Sequence, residues 1–210
     1  IDEAYAFIFK EGEASKNLDN YKNILDFLVD KKFNRNDAII ALGGGVVGDL
    51  AGLAASTYNR GITFYNIPTT LLSMVDSSIG GKTGIDYKGI KNIVGTFYQP
   101  KGVLIDPNLL LTLDKRQLHS GLVEAIKMGA TFDEELFSLI ENSEDLIKDA
   151  DLIIEKSLTI KKMVVEKDTK ESGLRSVLNY GHTIGHAIEA ISKGELLHGE
   201  AVGIGMLYFS

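Results

Sequence analysis

The sequence predicts two successive architectures, an α/β domain over residues 1–115 followed by an all-α domain over residues 116–210. Three observations carry this expectation. Strand-like stretches, the continuous apolar run Ala38–Leu42 and then Ile62–Ile67 and Val103–Ile105, alternate with helical patterns, as in a parallel sheet. A glycine cluster, Gly43-Gly44-Gly45-Val46-Val47-Gly48-Asp49, follows the first run directly and opens a helix. Beyond about Lys115, helical patterns succeed one another with no strand between them.

Taken in order, Tyr5–Phe9 is apolar and aromatic and reads as a short strand. Glu11–Lys16 is a polar turn, with Ser15 or Asn17 placed to cap the next element. Leu18, Tyr21, Ile24, Leu25 and Leu28 recur at helical spacing. Ala38–Leu42 is apolar throughout, which predicts a strand buried on both faces, and Ile62–Ile67 a second such strand. The helix opened by the glycine cluster extends to about Tyr58. Pro68-Thr69-Thr70 leads into a helix through about Val75, then a glycine-rich loop around Gly80, Gly81 and Gly84. Val103–Ile105 is the third strand, closed by Asp106-Pro107. Helices are expected over residues 117–130, 133–141, 151–167, 181–192 and 200–210. The chain begins at Ile1 and stops within an apparent helix, so it is expected to be a piece of a longer polypeptide, with parts of both domains missing.

Composition narrows the chemistry. Lys and Arg number 22 against 29 Asp and Glu, a formal charge of −7, which argues against a nucleic-acid backbone as partner. With no cysteine there is no disulfide and no thiolate metal site, which fits a reducing cytoplasm. Any metal must then be held by histidine and carboxylate. No apolar run reaches the roughly 18 residues of a membrane span.

Gly43, Gly45 and Gly48 satisfy G-x-G-x-x-G between a strand and a helix, a context in which backbone can approach a pyrophosphate at the helix N-terminus. The usual acidic ribose ligand is absent, Asn66-Ile67-Pro68-Thr69 standing in its place, and a plain strand-to-helix turn satisfies the same pattern. Thr69 and Thr70 could bond phosphate or simply cap a helix. In Asp76–Gly84, glycines bring backbone donors close while Lys82, with Lys91 beyond, adds point charge suited to phosphate. The P-loop pattern fails there, because Asp76 occupies the required first glycine. Glu124 and Lys127, three apart on a helix, read locally as a surface ion pair. Lys161, Lys162, Glu171 and Arg175 read as solvated charge, with Arg175 able to grip a carboxylate. His182 and His186 share a helical face, and His198 follows twelve residues after His186. A structural histidine pair or a proton relay satisfies the same spacing. As a metal site, three imidazoles with a carboxylate from a neighbouring helix suit zinc, cobalt or iron, and the helical spacing alone would make both His182 and His186 ligands.

These segments together closely resemble the 3-dehydroquinate synthase family of sugar phosphate cyclases. The resemblance runs in the family's order through Glu11–Lys16, Gly43–Asp49, Thr57–Gly61, Pro68–Gly84, Lys91–Pro100, Ser120–Lys127, Glu171–Glu189 and His198–Val202. It implies a Rossmann-like NAD-binding domain followed by a helical metal- and substrate-binding domain. Glu13 and Lys16 would hold the adenosine ribose side of NAD. Gly44, Gly45, Val46, Val47, Gly48 and Asp49 would cradle the pyrophosphate, with Thr69, Thr70, Lys82, Lys91 and Thr112 completing the cofactor contacts. Glu124, His182 and His198 would hold one zinc or cobalt ion, leaving His186 beside the substrate phosphate. Asp76, Lys82, Asn92, Lys127, Lys161, Arg175 and Asn179 match substrate-contacting positions. Arg175 and Lys161 suit the carboxylate, and Lys82, Asn92 and His186 the phosphate; Arg60 matches an arginine lent across family dimers.

The reaction so implied converts 3-deoxy-D-arabino-heptulosonate 7-phosphate to 3-dehydroquinate and phosphate, in the shikimate pathway of aromatic amino acid biosynthesis. NAD is recycled, so the enzyme would be a carbon–oxygen lyase. The chain alone is expected to be inactive or barely active. Another sugar phosphate cyclase, or a metal-dependent polyol dehydrogenase of the same architecture, is the alternative; a non-catalytic NAD sensor would have little physical need for a metal cluster beside a basic anion pocket.

Overall fold

The computed structural model describes residues 3–168 and 173–208. Glu171, one of the charged residues singled out above, lies outside the described residues. The chain divides into two compact units, residues 1–68 with 81–104, and residues 69–80 with 105–210.

In the first unit Asn17 caps helix α1 (Leu18–Asp30) by accepting from the Asn20 amide at 2.9 Å. Strand β1 (Ala38–Gly43) runs into helix α2 (Gly45–Thr57) and then β2 (Thr63–Pro68), which pairs parallel to β1 with Ile40 opposite Tyr65. A short β5 (Gly102–Val103) adds to β2, giving the order β1-β2-β5. Helix α2 buries Leu50, Leu53 and Ala54 against Ile24 and Leu28 of α1, and Ala51 and Ala55 against Ala41, Ile62 and Phe64. Two expectations fail here. The apolar strands are not buried on both faces: Ala41 is 1% exposed but Ile40 and Leu42 are 54% and 62% exposed, because α2 covers one face only. Tyr5–Phe9 forms no ladder; Phe7 and Phe9 instead pack against the α1 and α2 cluster, the Phe7 ring meeting that of Phe27 at a tilt of 56° with centroids 5.4 Å apart.

The predicted glycine-rich loop is in part an antiparallel hairpin, β3 (Lys82–Tyr87) with β4 (Ile90–Phe97). Lys88 and Gly89 form its two-residue turn at φ 50° and 78°, the twist that best joins right-twisted strands. The ladder shifts register at Asp86, a β-bulge, and Asn92 opposite adopts φ 54°.

In the second unit the segment after Thr70 begins a helix and then widens to a π-turn over Ser73–Ser77. Thr70 is its cap, its hydroxyl 2.8 Å from that of Ser73. A 3₁₀ stretch, Pro107–Thr112, precedes helices α3 (Lys115–Phe132), α4 (Glu134–Glu141), α5 (Ala150–Lys167), α6 (His182–Ser192) and α7 (His198–Tyr208). Asp114 and Asp133 cap α3 and α4. Met74, Val75, Leu118, Ala125, Met128, Leu136, Ile153 and Val164 form one continuous core. Placing Glu124, Lys127 and the π-turn around that core is what brings the polar groups of this unit together. No helix among the described residues is long and apolar enough to cross a membrane.

Candidate metal centre and cofactor loop

Three helices of the second unit converge on one carboxylate. Glu124 of α3 is 1% exposed, and its Oε1 is one of two buried side-chain polar atoms without a hydrogen-bond partner among the described residues, Ser78 Oγ being the other. His182 Nε2 at the start of α6 lies 3.6 Å from that oxygen, and His198 Nε2 at the start of α7 lies 3.7 Å from it. The back of each ring is tied: His182 Nδ1 donates to the Tyr180 carbonyl at 3.2 Å, and His198 Nδ1 to Glu189 Oε2 at 3.3 Å. Both Nε2 lone pairs are thereby turned towards Glu124. An orphaned carboxylate oxygen facing two imidazole nitrogens fits a divalent cation, since ligands about 2.0–2.1 Å from zinc stand about 3.4 Å apart in a tetrahedron.

His186, one turn along α6, has a ligating nitrogen within 4.8 Å of those of His182 and His198. It is exposed, and its ring centroid is 5.2 Å from that of His182 and 5.7 Å from that of His198.

Glycines set these distances. A Cβ on Gly185 would meet Val202 Cα at 2.9 Å, so α6 and α7 approach closely as the histidine-flanking glycines suggest. Gly199 packs against the Ser120 carbonyl of α3 and donates its amide to Ser120 Oγ at 3.1 Å. Arg116 of α3 grips Glu200 of α7 bidentately at 2.6 and 2.7 Å, holding the residue after next to His198. None of these ties is signalled by local spacing, and Glu189, Ser120 and Arg116 are residues the sequence reading missed.

The charges behind the carboxylate are buried, contrary to the expectation of a surface pair. Lys127 is 1% exposed and bonds Glu124 Oε2. Lys161 of α5 donates to Asp76 Oδ1 of the π-turn at 2.5 Å, and Arg175 is 2% exposed; neither is solvated, whereas Lys162 is. Gly80, at φ 104°, leaves room for the Arg175 guanidinium, which a Cβ there would meet at 2.5 Å. Burial opposes ionisation of Asp76, but the Lys161 and Lys127 ammonium groups outweigh it and hold the carboxyl well below its usual range. His182 is pushed down to about 4, by burial first and then by the Lys127 charge, against the pull of Glu124. Burial lowers His198 too, but its bond to Glu189 and the Glu124 charge more than restore it, so its pKa is raised. Asn179, at the end of a 3₁₀ stretch, is exposed.

In the first unit the glycine cluster forms the β1–α2 turn. Gly44 is the N-cap of α2 with no side chain closing it, so the helix end is open to an anion. A Cβ on Gly48 would meet the Asn66 side chain of β2 at 3.1 Å, the close helix-to-strand packing expected of the third glycine. Asp49, one residue on, receives Lys16 Nζ at 2.5 Å. Lys16 is 5% exposed; burial depresses its ammonium, but Asp49 and Glu13 outweigh that and raise its pKa. Its Nζ also bonds Asn92 Oδ1, and Asp86 Oδ1 accepts from the Asn92 amide at 2.8 Å. Asn92 is thus placed beside Lys16 and Asp49. Lys82 and Lys91 are exposed on the hairpin, Thr112 is exposed, and Thr69 is half-buried beside the capping Thr70. Arg60 is exposed, and Asn59, Arg60 and Gly61 form a left-handed run at φ 52°, 65° and 117°.

The fold is shared with two synthases of known structure. The 2-epi-5-epi-valiolone synthase from Streptomyces hygroscopicus subsp. jinggangensis 5008, solved with NAD+ and Zn2+ bound, is 34% identical with a TM-score of 0.89 over 94% of this chain and 57% of its own. A 2-deoxy-scyllo-inosose synthase, complexed with carbaglucose-6-phosphate, NAD+ and Co2+, is 33% identical with a TM-score of 0.86 over 95% of this chain and 56% of its own. The fold is therefore that of this group, an α/β domain followed by helices. The family profiles described as 3-dehydroquinate synthase N-terminal and C-terminal match residues 6–120 and 121–210, and the chain belongs to the 3-dehydroquinate synthase family. The 3-dehydroquinate synthase of Streptococcus suis (strain 05ZYH33) is 54% identical across 99% of the chain, which spans 60% of that relative's length.

Proposed function

We propose that the polypeptide to which this chain belongs is a 3-dehydroquinate synthase, a cytoplasmic carbon–oxygen lyase converting 3-deoxy-D-arabino-heptulosonate 7-phosphate to 3-dehydroquinate and inorganic phosphate. The observation that carries it is Glu124 Oε1, buried without a hydrogen bond and faced by His182 and His198, with Lys161, Asp76 and Arg175 in the same unit. Family membership and the two synthase structures, one solved with NAD+ and zinc and the other with NAD+ and cobalt, support the same reading.

Glu124, His182 and His198 would hold one zinc or cobalt ion. This set is preferred to three histidines because Glu124 Oε1 has no other partner and His186 is exposed. When bound, the metal acidifies substrate hydroxyls while NAD accepts and returns a hydride. Arg175 and Lys161 are assigned to the substrate carboxylate, the first as a bidentate fork and the second as a point charge. Asp76, kept ionised, holds the Lys161 ammonium in place and can accept from a substrate hydroxyl. Lys127 neutralises the rear of Glu124, which limits the charge that site presents. His186 and Asn179 are assigned to the substrate, His186 at its phosphate. In the first unit, Lys82 and Asn92 offer donors suited to phosphate. The open N-terminus of α2 with Gly44, Gly45, Val46, Val47, Gly48 and Asp49 would take the NAD pyrophosphate, aided by Glu13, Lys16, Thr69, Thr70, Lys82, Lys91 and Thr112. Arg60, exposed on a strained turn, is assigned to the active site of a second copy in a homodimer.

The test is phosphate release by the full-length polypeptide, stripped with EDTA and reloaded with zinc or cobalt. Phosphate should appear with no net NADH, and only after metal is restored. Net NADH accumulation would instead mark a polyol dehydrogenase, and activity indifferent to EDTA would overturn the metal assignment.

A further inference from the structure

One carboxylate beside the metal centre has no role in the reading above. Glu189 sits on α6, two turns beyond His182, with its side chain 11% exposed, and its Oε2 accepts from His198 Nδ1 at 3.3 Å. The same ring points Nε2 at Glu124 Oε1, 3.7 Å away. A neutral imidazole carries one proton, and an acceptor at Nδ1 selects the tautomer whose Nε2 lone pair is free. His182 obtains the equivalent acceptor from the Tyr180 backbone carbonyl, which no side-chain substitution removes. His198 obtains it from a side chain on another helix.

We infer that Glu189 is a positioning residue of the metal centre, fixing the tautomer and ring direction of His198 so that its Nε2 meets the cation held by Glu124 and His182. Three features favour this over a plain tie between helices. Glu189 is half-buried, one turn along α6 from Gly185, where α6 and α7 already pack closely through Gly185 and Val202, so an ionic tie adds little to their contact. Its acceptor meets the ring nitrogen that faces away from Glu124. Finally, His198 is the first residue of α7, where the backbone leaves the ring's rotation to its side-chain partners.

The inference rests on the metal reading, and the experiment separates the two. Full-length protein is stripped of metal and titrated with zinc against a chromophoric chelator, as parent, Glu124→Ala, Glu189→Ala, Glu189→Asp and Glu189→Gln. Thermal unfolding of each metal-free form is recorded alongside. Outer partners of ligating histidines are worth about 10–100-fold in metal affinity. Glu189→Ala should lose that much, and Glu189→Asp, which keeps the charge but draws the acceptor back, should lose at least about tenfold. Glu189→Gln keeps an acceptor oxygen at the same reach and should stay within about fivefold of the parent. The metal-free unfolding temperatures of the Asp and Gln variants should match, which a merely structural tie would not give. Loss of less than fivefold in both the Ala and Asp variants overturns the inference, as does a Gln variant as weak as Ala. If Ala does not fold, the Asp and Gln pair decides the question. A parent that binds no zinc, or binds it undiminished as Glu124→Ala, overturns the metal reading itself.

Discussion

Glu124 illustrates how far a residue's local setting can differ from its tertiary one. Three residues from Lys127 on a helix it has the spacing of a surface ion pair, yet both side chains are within 2% of complete burial. Breaking such a pair by removing one partner costs more than an exposed pair could, because it leaves an uncompensated buried charge. His182, in the same cluster, makes a pH-dependent prediction. Its folded-state pKa is about 4, below the ordinary 6.5, so the folded chain binds fewer protons there than the unfolded chain. The stability this contributes is complete above the unfolded value and is lost as pH falls from about 6.5 towards 4, a change on the order of 3 kcal/mol. Urea unfolding of the metal-free protein should weaken across that window, and His182→Asn should flatten that part of the profile. An unchanged profile in the variant would locate the acid sensitivity elsewhere, for instance in Asp76, whose depressed pKa loses its contribution only at lower pH.

Among the elements, α7 and the hairpin each carry a contact with little slack. Gly199 touches the Ser120 carbonyl of α3, and any side chain there must push the start of α7, with His198, away from Glu124. Gly199→Ala should therefore destabilise the protein by about 1–3 kcal/mol, a typical overpacking cost, and weaken zinc binding as well. Calorimetry and the chelator titration check the two effects. In the first unit, Lys16 joins the first turns of α2, through Asp49, to the bulged hairpin, through Asn92 and Asp86. Lys16→Met should leave Asp49 unpaired and cost about 3 kcal/mol in unfolding free energy. NAD affinity measured by calorimetry should fall with it, since Asp49 closes the glycine turn proposed to hold the cofactor. Parent-like affinity in a stable Lys16→Met protein would remove Lys16 and its tie to Asp49 from the cofactor assignment.

For the molecule as a whole, ligands that bind only the folded state add stability by mass action. Zinc at one hundred times its dissociation constant should add about 2.7 kcal/mol to the full-length protein, and substituting Glu124 or His182 by alanine should abolish that gain. A calorimetric scan with and without EDTA reads this directly. NAD should still stabilise the Glu124→Ala protein, because Glu124 is not among the residues proposed to hold the cofactor.

The sequence by itself determined the order of the fold, α/β then all-α, because unbroken apolar runs and helical periodicity are local properties of the chain. It also singled out the segments to which chemistry is assigned by proposal: the glycines at Gly43–Gly48, the lysines near Gly80, and the histidines at 182, 186 and 198. The hairpin was not legible: the glycines at 80, 81 and 84 read as loop, and its Lys88-Gly89 turn is seen only in the fold. Tertiary structure alone decided that Ile40 and Leu42 face outward, since an apolar run does not say how many faces of its sheet are covered. It alone buried Lys127, Lys161 and Arg175 with their partners, and it alone brought Glu124 within 3.7 Å of both His182 and His198. Those residues are separated by 58 and 74 positions, so no helical or strand period relates them. What relates them is the close packing that Gly185 and Gly199 permit between three helices, a property of the folded chain and not of any segment of it.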